Sequence, residues 1–118
     1  FYPHKMFEAG EVAVLDDAEN MGTRTDLNLA ALISHPAANF SEMQTTLDIL
    51  LYYLGIEYRL EPAEHPLLTQ GRCGRILDTG AELGFIGEVR PEALERRRIT
   101  MPCAAFEINL NAVLTFVA

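Results

Sequence analysis

Arg72, Arg75 and Arg90 lie in or beside otherwise apolar, strand-like sequence, and they are the charges best placed to do chemistry. A guanidinium in such a setting either pairs with a carboxylate of its own fold, Glu88 or Glu107 for instance, or holds an anionic group from outside. The histidines His4, His35 and His65 each adjoin a proline, a turn setting without a second ligand at metal-like spacing. Ser34 and Ser41 lack the surroundings of a nucleophile elbow. Asp16, Asp17 and Glu19 have the wrong spacing for a calcium loop. Gly71-Arg72-Cys73-Gly74 is too short and too strand-like to cradle a phosphate ahead of a helix. Cys73 and Cys103 sit in apolar segments without a metal or redox pattern, so buried free thiols are expected. No acid–base pair, activated nucleophile or metal cluster can be assembled. The chain reads as a folded domain without catalytic equipment of its own.

The elements that hold these residues centre on Glu82 to Glu92. Leu83, Phe85, Ile86 and Val89 describe a buried strand, interrupted by Gly84 and Gly87, that runs into a helix opened by Pro91. Glycine weakens a strand unless another backbone approaches closely, so the pair predicts the crowded middle of a sheet. The alternative is a ligand-facing surface. Upstream, Lys5 to Leu15 predicts a strand with a bulge at Gly10, and Asp16 to Asp26 an acidic, turn-rich loop. Leu27 to Ser34 predicts a second strand, ended by His35-Pro36. Ser41 with Gln44 predicts a capping box for a helix that runs to Leu54 and stops at Gly55. Met43, Leu47, Leu50, Leu51 and Leu54 form its apolar stripe. Ile49, Tyr52 and Tyr53 widen that surface, so a partner is expected to cover part of the helix, Leu50 and Tyr53 included. Ile56 to Glu61 alternates as a half-wet strand. Arg72 to Asp78 and Glu82 to Val89 make a hairpin around Thr79-Gly80-Ala81. Glu92 and Glu95 lie early, and Arg96 to Arg98 late, in the short helix after Arg90. Cys103 to Leu110 closes as a strand, and Asn111 to Ala118 reads as a helical turn or a frayed end. One long helix among so many strands predicts an α+β domain with a mainly antiparallel sheet.

With 118 residues, 49% hydrophobic and 22% charged, the chain has the size and composition of a single globular domain. The net charge of −8 argues against a free-standing nucleic-acid binder. No apolar run reaches membrane-spanning length and no signal-peptide pattern opens the chain, so a cytoplasmic location is expected. The start at Phe1 suggests a piece of a longer polypeptide.

Lys5-Met6-Phe7-Glu8-Ala9-Gly10, the Gly71-Arg72-Cys73 turn, Leu83 to Val89 with Pro91-Glu92, and Phe106-Glu107-Ile108-Asn109-Leu110 follow one another in a recognisable order. Together they resemble the C-terminal catalytic-like domain of the phenylalanyl-tRNA synthetase β subunit, closest to its archaeal and eukaryotic-type branch. The resemblance spans nearly the whole chain. It implies one domain over residues 1–118, truncated on its N-terminal side, with the class II aminoacyl-tRNA synthetase catalytic-like fold. It further implies an inactive domain that packs against the catalytic α subunit in an (αβ)2 assembly. ATP and magnesium would serve the α subunit, tRNA would bind the whole enzyme, and the fragment alone would tend to self-associate. Arg90 stands where the family often has histidine, and Gln70 where it often has proline. Both departures weigh against carrying a binding role over to Arg72 or Arg90. The competing reading is a small-molecule module whose remnant amino-acid or nucleotide pocket lies beside Gly84 and Gly87, with Arg72 or Arg75 facing the ligand.

Overall fold

A computed structural model describes residues 4–15, 23–78 and 81–110. It contains strands β1 (His4–Leu15), β2 (Thr23–Ser34), β3 (Arg59–Pro62), β4 (Leu68–Asp78), β5 (Ala81–Val89) and β6 (Cys103–Asn109), with helices α1 (Phe40–Tyr53) and α2 (Pro91–Arg96). The strands form one six-stranded sheet in the order β1-β2-β6-β5-β4-β3. Every neighbouring pair is antiparallel.

This overturns the class II synthetase catalytic fold that the resemblance implied. The helices have 14 and 6 residues, and neither is the long helix expected. The domain is an antiparallel sheet with one face packed by α1.

Strand alternation explains that packing. The register sets Leu29 opposite Ile108, Ala31 opposite Phe106 and Ile33 opposite Ala104, so all six share a face. Ile86, opposite Phe106, and Ile76, opposite Gly84, extend it. Onto it α1 sets Met43, Leu47 and Leu51, one every four residues and all fully buried. The helix begins at Asn39, whose side chain accepts from the Glu42 amide at 2.9 Å. Ser41 lies inside the helix, so the expected Ser41–Gln44 box is replaced by a cap two residues earlier. Gly55 supplies the stop, with φ at +74°.

Other boundaries shifted as well. Gly10 pairs in register with Asn28 and carries no bulge. The irregularity falls instead in the β4–β5 ladder, between Ile76 and Leu77 and again between Leu68 and Cys73. Residues 23–26, expected in a loop, extend β2, while residues 16–22 lie outside the described residues. The expected strand from Ile56 is confined to Arg59–Pro62, because Ile56 turns into the core beneath α1. The hairpin turn at residues 79–80 and the terminal segment 111–118 also lie outside the described residues.

Candidate functional site

β5 runs between β6 and β4, and its glycines make that position possible. A Cβ on Gly84 would overlap the Glu107 carbonyl oxygen and lie 2.9 Å from the Ile108 Cα. At Gly87 it would lie 2.8 Å from the Arg72 carbonyl oxygen and 3.0 Å from Leu68 Cδ1. Protein backbone fills the space that each glycine leaves. The remnant-pocket reading had assigned that space to a ligand, and it loses it.

The arginines are engaged by the fold itself. Arg72 Nη1 donates to both oxygens of Glu88 at 3.3 Å. Glu88 Oε2 also accepts from the Phe40 amide at 2.8 Å, placing its carboxylate at the first turn of α1. Such a carboxylate is favoured there by the exposed amides and the helix dipole. Arg75 lies between Glu82, at 3.2 Å, and Glu61, at 3.9 Å. Arg90 caps no helix with its side chain; its Nε donates to the Leu68 carbonyl at 2.9 Å, tying β5 to the start of β4. Glu107, the other carboxylate considered, accepts instead from Asn28 at 2.8 Å.

The described histidine rings are likewise used locally. His35 Nδ1 accepts from the Ala37 amide, leaving Nε2 to donate to Glu42 at 2.5 Å. His65 Nδ1 accepts from the Leu67 amide at 3.1 Å, and its ring meets Phe85 edge-on at 5.0 Å. Cys73 and Cys103 are buried free thiols. Burial pushes the Cys73 thiol above its ordinary range, and the positive charge of Arg90 only partly opposes that. Among the described residues no group of histidine, cysteine and carboxylate side chains could hold a metal ion.

Two surfaces remain open. On the outer side of α1, Ile49, Tyr52 and Tyr53 are 55%, 80% and 82% exposed, with the tyrosine rings edge-to-face at 5.8 Å. Leu50, expected beside them, is half-buried against the core. On the sheet face away from α1, a shallow concavity of about 410 Å³ runs over Met6, Ala30, Leu32, Phe85, Leu94 and Ala105. Sequence reasoning found the first surface from an overfull helical stripe. It missed the second, whose small floor residues come from different strands.

A sheet domain whose charged residues are spent on internal ties, and which leaves apolar surface uncovered, belongs to the class of structural and docking domains. Residues 2–110 match the family described as phenylalanyl tRNA synthetase beta chain CLM domain, and the chain belongs to that family. Similar proteins include phenylalanine–tRNA ligase beta subunits of Thermococcus kodakarensis, 40% identical over 97% of this chain and 20% of that protein, and Borrelia hermsii, 42% identical over 96% and 20%. The Thermococcus onnurineus subunit is 39% identical over 93% of this chain and 19% of its own length. The chain thus spans about a fifth of the relatives it matches. No helix among the described residues is long and apolar enough to cross a membrane.

Proposed function

We propose that this domain is a non-catalytic, structural part of a phenylalanine–tRNA ligase β subunit, and that it packs against the catalytic α subunit. The motif order from Lys5 to Leu110 places it toward the C-terminal side of that subunit. The observation that carries the packing role is the outer face of α1. Ile49, Tyr52 and Tyr53 form a compact apolar and aromatic patch on a helix whose opposite side is fully seated. Aromatic residues of this kind are the anchors of protein–protein interfaces. The engagement of Arg72 and Arg75 by carboxylates speaks against a nucleotide site formed by these residues. ATP, magnesium and phenylalanine are therefore assigned to the α subunit, tRNA to the whole (αβ)2 enzyme, and the assembly to the cytoplasm.

The test is to mix the chain with a catalytic α subunit of the same enzyme and follow complex formation by size exclusion with light scattering. Co-elution is expected, together with its loss in the Tyr52→Lys/Tyr53→Lys double variant. A complex indifferent to that double variant, or no complex with the folded chain, would remove the reading. Phenylalanine activation by the chain alone would remove the non-catalytic assignment.

A further inference from the structure

The two edges of the sheet are guarded very differently. β3, at one edge, has four residues, ends in Pro62 and carries Arg59 and Glu61. Shortness, charge and proline are the usual means by which an edge strand avoids joining another strand. β1, at the other edge, has twelve residues and no proline. Among the described residues only β2 lies beside it, so its outward amides and carbonyls have no strand to pair with. Lys5 through Glu11 are exposed, and Met6 and Phe7 are each 59% open. The register puts these two on opposite faces: Phe7 stands opposite Ala31 in the core layer, and Met6 opposite Leu32 on the face of the concavity. An edge that is long and apolar on both faces is a template for strand addition.

We propose that β1 pairs with β1 of a second copy of this chain, antiparallel, about a twofold axis through Phe7. A twofold normal to the sheet keeps each face continuous, so only residues of matching alternation can stand opposite. Charge then selects the register. With Phe7 against Phe7, Lys5 faces the second copy's Ala9 and lies diagonal to its Glu11, on the same face. Moving the axis to Glu8 sets that carboxylate directly against itself. Moving it to Met6 sets Lys5 diagonal to Lys5. Like charges opposed across strands destabilise, whereas aromatic pairs and opposite charges stabilise. The Phe7-centred register is the one of the three that gains an aromatic pair and attractive charges with no opposed like charges. This surface is separate from the α1 patch and does not depend on the α-subunit reading.

Sedimentation equilibrium on the 118-residue chain tests it. A monomer–dimer equilibrium is expected, and Phe7→Lys should raise the dissociation constant by at least about tenfold, with the circular dichroism spectrum unchanged. As an independent variant, Phe7→Cys should form a disulfide-linked dimer on mild oxidation, because position 7 meets itself. Glu11→Cys, which has no such counterpart, should stay monomeric on a denaturing gel. A chain that remains monomeric to near-millimolar concentration overturns the proposal. So does a dimer that survives Phe7→Lys but is lost in Tyr53→Lys, which would move the contact to α1. Equal cross-linking of the two cysteine variants would likewise overturn it.

Discussion

Replacing Gly84 with alanine separates a glycine kept for packing from one kept for a ligand. The added methyl has nowhere to go, since the atoms it meets are the Glu107 carbonyl and the Ile108 Cα, all backbone of β6. A side chain could rotate aside; a paired strand cannot without giving up its ladder. Overpacking of this kind costs about 1–3 kcal/mol. Each β5–β6 hydrogen bond weakened by the strand's retreat adds about 1 kcal/mol. Alanine's smaller backbone entropy loss offsets only about 0.5–1 kcal/mol. The net expectation is a loss of about 3 kcal/mol, a large share of the about 5–15 kcal/mol that holds an ordinary domain together. Urea unfolding followed by circular dichroism reads this directly: with a slope of about 2 kcal/mol per molar, the midpoint falls by about 1.5 M. Gly10→Ala is the internal control, because a Cβ there meets nothing within 4 Å. It should leave stability unchanged or raise it slightly. A Gly84→Ala protein as stable as Gly10→Ala would refute the close approach of β6 to β5. It would also restore room for a ligand beside the glycine.

Other perturbations probe the ties around α1. Glu88→Ala should cost about 1–2 kcal/mol in the same assay, since it removes the carboxylate from the helix start, while Arg72→Ala should cost under about 1 kcal/mol because its pair is exposed. A larger loss from Arg72 would show that the ion pair, and not the helix contact, is what matters. Tyr58 donates to Asp48 of α1, and burial first, then that carboxylate, raise its phenol above the ordinary value of 10.0. The proton is held more tightly in the folded state, so this contribution is complete below pH 10 and is lost as pH rises further. Melting curves between neutral and strongly alkaline pH should therefore fall more steeply in the parent than in Tyr58→Phe. The Cys73 thiol, buried and pushed up, should react with a thiol reagent at neutral pH only on the timescale of unfolding. Rapid labelling of the native protein would contradict that burial.

What the sequence disclosed and what it withheld divide along a physical line. Signals that act within one segment were legible. Met43, Leu47 and Leu51 recur at the helical period and are buried, and Gly55 marks the stop in a left-handed conformation. Gly84 and Gly87 pointed to a crowded strand because only close backbone contact justifies them there. Where two local signals competed, the wrong one was chosen. Ser41 with Gln44 resembled a capping box, but Asn39 with Glu42 offers the same spacing, and Asn39 is the residue that caps. Gly10 resembled a bulge, yet bulges depend on how a partner strand runs, and β2 runs past it in unbroken register. Sheet order was not legible at all. No periodicity in Lys5 to Glu11 states that the strand lies at an edge, or that Cys103 to Asn109 inserts between two hairpins.

Position in the sheet also decides what each apolar residue is for. Ala31 and Phe7 stand opposite each other across β1 and β2, but Ala31 is 2% exposed and Phe7 59%. The difference is that β2 has a strand on either side and α1 above its core face, whereas β1 has neither. On α1, Leu51 is fully buried and its neighbours Tyr52 and Tyr53 are 80% and 82% exposed, because only one side of that helix has a sheet to meet. Both open sites therefore have the same cause. Each is an apolar segment of a two-layer fold where the second layer is missing, and stray surface leucines have no such shared address. A covering partner at one site does not satisfy the other, since the helix patch needs a shaped apolar surface and the strand needs hydrogen-bonding backbone. The domain has two separable requirements for partners, and single substitutions at Tyr53 and at Phe7 should disable them independently.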